Sequence, residues 1–230
     1  MIRQRPLPLP RARAEALSRD DFFETPANAT ALAAVEGWQD WPEGKLVLIG
    51  PGGAGKSHLA RIWAHEAGAA LLSGQDIAAT DLPALAATGA VALDEAHHVA
   101  GNPAAETALF HLHNMMTAAR GLLLLTGSDA PNRWPVALPD LASRLQAIPV
   151  ARLEPPDNSL IAAVLVKLFT DRQLSVPPAV IAYLTPRLPR SLAEVSRTVA
   201  AIDMRALEER REITRALAAE VLDTLADPGQ

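Results

Sequence analysis

Short apolar runs alternate with helical patterns over the first two thirds of the chain. Four runs predict buried strands and a fifth, which contains Pro149, predicts an edge strand. The runs lie at 45–49, 69–72, 90–95, 122–126 and 147–150. Helical spacing lies between them at about 28–37, 58–64, 104–119 and 138–145, with a helix or broken helix at 75–87. This alternation predicts an α/β fold with a parallel five-stranded sheet flanked by helices.

The pattern changes after residue 154. Apolar residues then follow helical spacing throughout, and prolines separate predicted helices at about 157–172, 177–186, 191–207 and 213–225. We therefore expect a base domain over 15–154, a small all-helical domain over 155–226 and a disordered tail over 227–230. At the other end, prolines exclude helix and central strand from 1–14, so this tail is expected to be extended.

A glycine-rich stretch connects the first predicted strand to the helix that follows. It fits G-x-x-x-x-G-K-[ST], the P-loop pattern, and its residues are Gly50, Pro51, Gly52, Gly53, Ala54, Gly55, Lys56 and Ser57. Glycines allow the backbone N–H groups of such a loop to surround a phosphate. We expect Lys56 to reach the β- and γ-phosphates and the Ser57 hydroxyl to hold Mg²⁺.

Two adjacent acids, Asp94 and Glu95, end the third apolar run. They lie about 40 residues after the P-loop, which is the length that a βαβαβ unit needs. A carboxylate at the C-terminal edge of a parallel strand can hold the Mg²⁺ shell, and the next one can orient an attacking water. We assign the first role to Asp94 and the second to Glu95; the alternative is a helix-capping acid pair.

Other residues leave two interpretations open. Phe22 and Phe23 either pack on a nucleotide base or anchor the following helix. The proline-rich tail either docks Leu7 and Leu9 in an apolar groove of a partner or has no partner. The histidines have spacings that can bind a metal, but no carboxylate or cysteine cluster completes a site, so we expect none; they are His97, His98, His111 and His113.

Composition narrows the possible classes of protein. The chain has 230 residues, 49% of them apolar, and a net charge of −5, which argues against a broad nucleic-acid-binding surface. It has no cysteine, so disulfides and thiolate metal sites are excluded. No apolar run approaches the roughly 20 residues that a membrane helix needs. The arginine-rich N-terminus is faintly like a transit peptide, but its prolines break the required helix, and we expect a cytoplasmic protein.

Together these motifs resemble the AAA+ nucleotide-binding module, and within it the DnaA branch, over about residues 15–226. The resemblance makes 50–57 the Walker A motif, Asp94 and Glu95 the Walker B motif, and the helical domain a lid. It places sensor 1 within 126–129 and leaves Ser128 and Asp129 as alternatives. The other residues that it implies are Phe23, Asn28 and His58 beside the nucleotide, Arg144 as arginine finger and Arg190 as the sensor 2 arginine.

Two features separate the chain from DnaA itself. It stops where DnaA would continue into its helix-turn-helix DNA-binding domain, and residues 4–9 fit Q-x-x-L-P-L. That pattern is similar to the sliding-clamp-binding motif of the Hda family of DnaA-related regulators, and the alphaproteobacterial form, HdaA, is the most similar. The resemblance makes four residues clamp-binding: Gln4, Leu7, Pro8 and Leu9.

The Hda resemblance implies a regulator of replication initiation. Its ligands would be ADP or ATP with Mg²⁺, and its partners the DNA-loaded β sliding clamp and DnaA, with a possible homo-oligomer through the AAA+ interface. It would bind neither DNA sequence-specifically nor a membrane. In this family the ADP-bound regulator stimulates hydrolysis of the ATP held by DnaA and so prevents over-initiation, and Arg144 would act in trans.

Three other readings remain. A helicase loader of the DnaC kind would carry a helicase-binding extension in place of a clamp motif. A stand-alone ATPase is chemically possible because Asp94 and Glu95 are both present, and whether the chain is itself an enzyme stays open. A DNA-binding initiator fragment fits poorly with the acidic net charge.

Overall fold

The base of the molecule is built on one parallel sheet in the computed structural model, which describes residue 19 and residues 22–226. Its strands are β1 (Lys45–Ile49), β2 (Ala70–Ser73), β3 (Ala90–Asp94), β4 (Leu122–Gly127) and β5 (Val150–Arg152). Their order across the sheet is β2-β3-β4-β1-β5, and every neighbouring pair is parallel. This confirms the predicted parallel five-stranded sheet.

Helices cover both faces of this sheet. One face carries α1 (Ala29–Glu36) and α2 (Lys56–Ala67), and the other carries α3 (Leu82–Ala86), α4 (Pro103–Ala119) and α5 (Pro139–Ala147). Side chains of a strand point alternately to the two faces, so Leu46 and Leu48 of β1 enter one core while Val47 and Ile49 enter the other. Burial on both faces explains why β1 reads as a continuous apolar run.

The chain beyond β5 lies against the start of the P-loop. The Leu153 amide donates a hydrogen bond to the Ile49 carbonyl at 2.8 Å. A Cβ added at Gly50 would lie 2.6 Å from the Leu153 carbonyl oxygen. Only glycine therefore permits this approach of the two backbones.

Four helices form a second, smaller core after residue 157. They are α6 (Asn158–Asp171), α7 (Pro178–Leu184), α8 (Leu192–Glu209) and α9 (Arg215–Ala226). The α6 face that enters this core carries Ile161, Leu165 and Phe169 at four-residue spacing. The side chain of Asp157 caps α6 by accepting a hydrogen bond from the Leu160 amide at 2.8 Å.

Some element boundaries differ from the predictions. The last strand lies at 150–152 and not at 147–150, because α5 continues to Ala147 and Pro149 has no N–H to donate. The Pro149 carbonyl nevertheless accepts a hydrogen bond from Val47 at 2.9 Å. Residues 75–87 form a broken helix, with a 3-10 turn at Ile77–Ala79 before α3.

The predictions for 1–14 and 227–230 lie outside the described residues, and the domain boundaries stay predictions. Within residues 19 and 22–226, no helix has the length and apolar character needed to span a bilayer.

Candidate nucleotide site

The P-loop turns between β1 and α2 by means of two glycines with positive φ. Gly53 has φ 75° and Gly55 has φ 104°, in the left-handed region that favours glycine. Among the described residues, neither amide is hydrogen-bonded to another group of the chain. Helix α2 begins at Lys56, so its first N–H groups also lack helical partners. The loop therefore presents backbone donors at a helix N-terminus, which suits a phosphate.

The Lys56 ammonium lies over the same loop. Its Nζ donates to the carbonyls of Gly50 at 2.7 Å and Pro51 at 2.9 Å. Burial lowers the pKa of Lys56, and the negative charges of Asp94 and Glu95 oppose that shift. The lysine is thus electrostatically coupled to both acids at the end of β3.

The two acids predicted to form the Walker B motif, Asp94 and Glu95, are held by Thr126 of β4. Its hydroxyl donates to Oδ1 of Asp94 at 2.6 Å and accepts from the Glu95 amide at 2.8 Å. Thr126 is fully buried, whereas Ser128 and Asp129 are exposed beyond the strand. Asp129 forms an ion pair with Arg133 at 3.6 Å. Thr126, which the sequence placed only at the edge of the sensor 1 stretch, is the residue of β4 that contacts the acids.

Glu95 lies in the left-handed region, with φ 53°, and its side chain contacts a histidine. Its Oε2 is 3.7 Å from Nδ1 of His98, and Nε2 of Gln75 is 3.2 Å from the same nitrogen. The rings of His97 and His98 have centroids 4.2 Å apart and are tilted by 43°, and burial lowers the pKa of His97. His98 and Gln75 were not predicted as site residues, and only the turn after β3 brings them to Glu95.

The all-helical region α6–α9, which the resemblance makes a lid, contacts the P-loop directly at the start of α8. The Leu192 amide donates to the Gly53 carbonyl at 2.8 Å. A Cβ added at Gly53 would lie 2.9 Å from Cβ of Ser191 and would collide with its hydroxyl. Arg190, which directly precedes Ser191, is exposed and donates to the Pro156 carbonyl at 3.3 Å. The predicted sensor 2 arginine therefore lies two residues from a residue bonded to the P-loop.

The segment before α1 reaches the site through one of its two aromatics. The Phe22 ring stacks on His58, with centroids 5.9 Å apart and an interplanar angle of 11°. Phe23 instead lines a groove against Val166 and other residues of α6. The buried Asn28 side chain donates to the Phe23 carbonyl and accepts from the Thr25 amide, both at 2.8 Å. Asn28 thus fixes the backbone that carries both aromatics.

Arg144 lies on the exposed side of α5, where its guanidinium carbon is 5.2 Å from the centre of the Phe110 ring. Within the described residues, 19 and 22–226, no hydrogen bond or ion pair joins the Arg144 side chain to the P-loop. The residues predicted to bind the clamp lie outside the described residues: Gln4, Leu7, Pro8 and Leu9.

The residues present fit a nucleotide with Mg²⁺. The loop supplies backbone donors for phosphates, and the Ser57 hydroxyl with the Asp94 carboxylate supplies the oxygen ligands that Mg²⁺ prefers. Within the described part of the chain, no group of three His, Asp or Glu residues could hold a metal ion on its own. A divalent ion at this site would therefore depend on a bound phosphate for part of its coordination.

No protein-family model matches the sequence. Domain III of the Thermotoga maritima initiation protein DnaA superposes with a TM-score of 0.77 at 18% identity, over 91% of this chain and 96% of that one. DnaA from Aquifex aeolicus bound to AMPPCP gives 0.69 at 17% identity, over 84% and 67%. The FIGL-1 AAA domain in complex with ADP gives 0.65 at 12%, over 85% and 78%. The chain therefore has the AAA+ P-loop fold, with an architecture like that of DnaA domain III.

Proposed function

We propose that this chain is a nucleotide-bound AAA+ regulator of chromosome replication initiation. It would dock on the DNA-loaded β sliding clamp and stimulate ATP hydrolysis by DnaA, which prevents over-initiation. The observation that carries the proposal is a complete P-loop and Walker B arrangement on a DnaA-like fold, with a separate, exposed arginine on α5. The proposed location is the cytoplasm.

The nucleotide would be ADP or ATP. The amides of Gly53 and Gly55 and the Lys56 ammonium would bind its phosphates, and the Ser57 hydroxyl and Asp94 would hold Mg²⁺. Mg²⁺, when bound, neutralises phosphate charge. Thr126 keeps Oδ1 of Asp94 in place through its 2.6 Å hydrogen bond. The lid, bonded to Gly53 through Leu192, would close over the same phosphates.

We infer that the chain acts mainly as an activator of another ATPase. Arg144 supplies what such an activator needs, since a guanidinium with fixed charge can stabilise charge that develops on a phosphoryl group in a neighbouring molecule. Arginine fingers supplied in this way typically raise the rate about 10³- to 10⁵-fold. The neighbour would be DnaA, or a second copy in a homo-oligomer.

The first test is clamp binding, because it separates this proposal from its rivals. Wild type should bind the β clamp, and Gln4→Ala/Leu7→Ala should not. Binding by neither protein would remove the clamp from the proposal and favour a DnaC-like loader or a stand-alone ATPase.

The second test is stimulation of DnaA. Arg144→Ala should keep clamp binding and lose at least about 10³-fold of the stimulated hydrolysis of DnaA-bound ATP. Arg61→Ala is a matched control, since Arg61 is an exposed arginine of α2. Equal stimulation by wild type and Arg144→Ala would contradict the role of Arg144.

A stand-alone P-loop ATPase is the second candidate function. The contact between Thr126 and both acids favours it, because the hydroxyl orients Asp94 and the Glu95 backbone together. Turnover of ATP without DnaA or clamp, abolished by Glu95→Gln, would establish it.

A further inference from the structure

Helix α4 contacts the arginine-bearing region at two points, one helical turn apart. Glu106 accepts hydrogen bonds from the Ala137 amide at 3.0 and 3.1 Å and from the Leu138 amide at 2.8 Å. Leu138 is the N-cap residue of α5, so Glu106 anchors the start of that helix. Phe110 follows four residues later, on the same face of α4, and contacts Arg144.

The guanidinium of Arg144 has no hydrogen bond or ion pair with any residue in the described ranges, 19 and 22–226. Its contact is with the face of the Phe110 ring at 5.2 Å. A ring face attracts a cation through its quadrupole and uses none of the N–H donors. As far as the described residues go, all five donors of Arg144 therefore stay available for an external oxyanion, whereas a carboxylate partner would occupy two of them.

The buried neighbours of α5 do not compete for Arg144. Leu141 and Leu145, on the other side of α5, are fully buried in the core beside the sheet. His113, buried beneath on α4, has its pKa lowered to about 4 by burial, with smaller contributions from Lys45 and Arg144. His113 is thus neutral at pH 7 and does not repel the guanidinium.

We propose that Phe110 is a positioning residue for Arg144: its ring holds the guanidinium in the direction in which it meets a phosphoryl group bound by a neighbouring molecule. This inference rests on the proposed activation of DnaA. Glu106 positions the helix, and Phe110 restricts the rotamers of the long side chain that the helix carries. An arginine restricted in this way loses less conformational entropy when it enters the transition state.

Steady-state activation of DnaA-bound ATP hydrolysis tests the inference. Phe110→Leu should lower the maximal stimulated rate about two- to fivefold, which is the range expected for a solvent-exposed cation–π contact. The concentration of this protein that gives half-maximal stimulation should not change, because Phe110 contacts no partner in this proposal. Phe110→Tyr retains a ring face and should restore the wild-type rate.

Combination with Arg144→Ala separates positioning from a structural effect. Phe110→Leu should have no further effect on the residual rate of Arg144→Ala, and thermal unfolding should show both Phe110 variants folded. An equal loss in both backgrounds, or a higher half-maximal concentration at unchanged maximal rate, would overturn the inference. Full stimulation by Phe110→Leu, together with a strong loss in Arg144→Ala, would overturn the role of Phe110 and leave that of Arg144 standing. Full stimulation by Arg144→Ala would overturn the proposed role of Arg144 as well.

Discussion

The P-loop and the region of Arg144 are held in place by different kinds of group. At the P-loop the contacts to the chain outside the loop are between backbones: Gly50 against Leu153, and the Gly53 carbonyl against the Leu192 amide. At Arg144 they come from side chains of α4, namely a buried carboxylate and an aromatic ring. A site that is positioned by backbone contacts tolerates few substitutions at its glycines. A site that is positioned by side chains can be weakened in steps, because each side chain can be shortened or replaced separately.

The largest effect is expected from a methyl group at Gly53. Gly53→Ala should weaken ADP binding by at least about 5- to 30-fold, because a left-handed alanine alone costs roughly 1–2 kcal/mol. Its Cβ would also displace Ser191, which adds to the loss. Isothermal titration with ADP measures the change. Gly52→Ala is the control, since a Cβ there meets no atom within 4 Å and its φ is not positive. Similar losses in the two variants would mean that the lid contact does not distinguish these glycines.

A substitution of Glu106 is expected to give the next largest effect, a loss of stability in the region that side chains position. Glu106 is 2% exposed. Burial raises the pKa of its carboxyl, but the amides of Ala137, Gly101 and Leu138 outweigh that, so the pKa lies below its ordinary value. Glu106→Gln should lower the free energy of unfolding by about 1.5–2 kcal/mol at pH 7, the magnitude for hydrogen bonds to a charged group. Urea unfolding measures it, with the exposed Glu66→Gln as control.

The pH dependence of this effect has a definite sign. A carboxyl with a depressed folded-state pKa stabilises the protein above its unfolded pKa, about 4.3, and loses that contribution as the pH falls through the folded pKa. The difference between wild type and Glu106→Gln should therefore be largest at pH 7 and shrink toward pH 3.5. A difference that stays constant over this range would contradict the assignment of the charge to Glu106.

The smallest effect is expected from one N–H group between lid and P-loop. Leu192 is the first residue of α8, a position that accepts proline, so Leu192→Pro removes the hydrogen bond to Gly53 without breaking the helix. Its control, Leu192→Ala, keeps the N–H. The proline variant should release a fluorescent ADP analogue about fivefold faster than the alanine variant in stopped flow, as expected for one hydrogen bond of about 1 kcal/mol. Equal rates would show that this bond does not retain nucleotide.

The backbone-positioned site is the one that the sequence reveals. A loop that needs positive φ and close backbone approach requires glycine at fixed spacing, so 50–57 and the strand before it could be predicted from local residues. The strand that ends at Asp94 could be predicted for the same reason, because burial on both faces demands an uninterrupted apolar run.

The side chains that position the region of Arg144 could not be predicted from local sequence in this way. Glu106 looks like an ordinary acid in the first turn of a helix, a favourable place for any carboxylate. Its partners lie about 30 residues away, at Ala137 and Leu138, so only the packing of α5 on α4 shows its role. Thr126 is similar, since its contact with Asp94 depends on the pairing of β3 with β4. The position of β5 was predicted too early in the chain. A proline in an apolar run indicates an edge strand, but it does not show at which residue the strand begins.

The short connection through β5 has a thermodynamic consequence. Leu153 follows Arg144 by nine positions and is hydrogen-bonded to Ile49 at the entrance of the P-loop. One short stretch of chain therefore joins the arginine to the nucleotide end of β1. If a nucleotide changes how readily Arg144 engages a neighbour by some factor, engagement of that neighbour must change the affinity for the nucleotide by the same factor. The partner that receives the arginine would then also change the affinity of this chain for its own nucleotide.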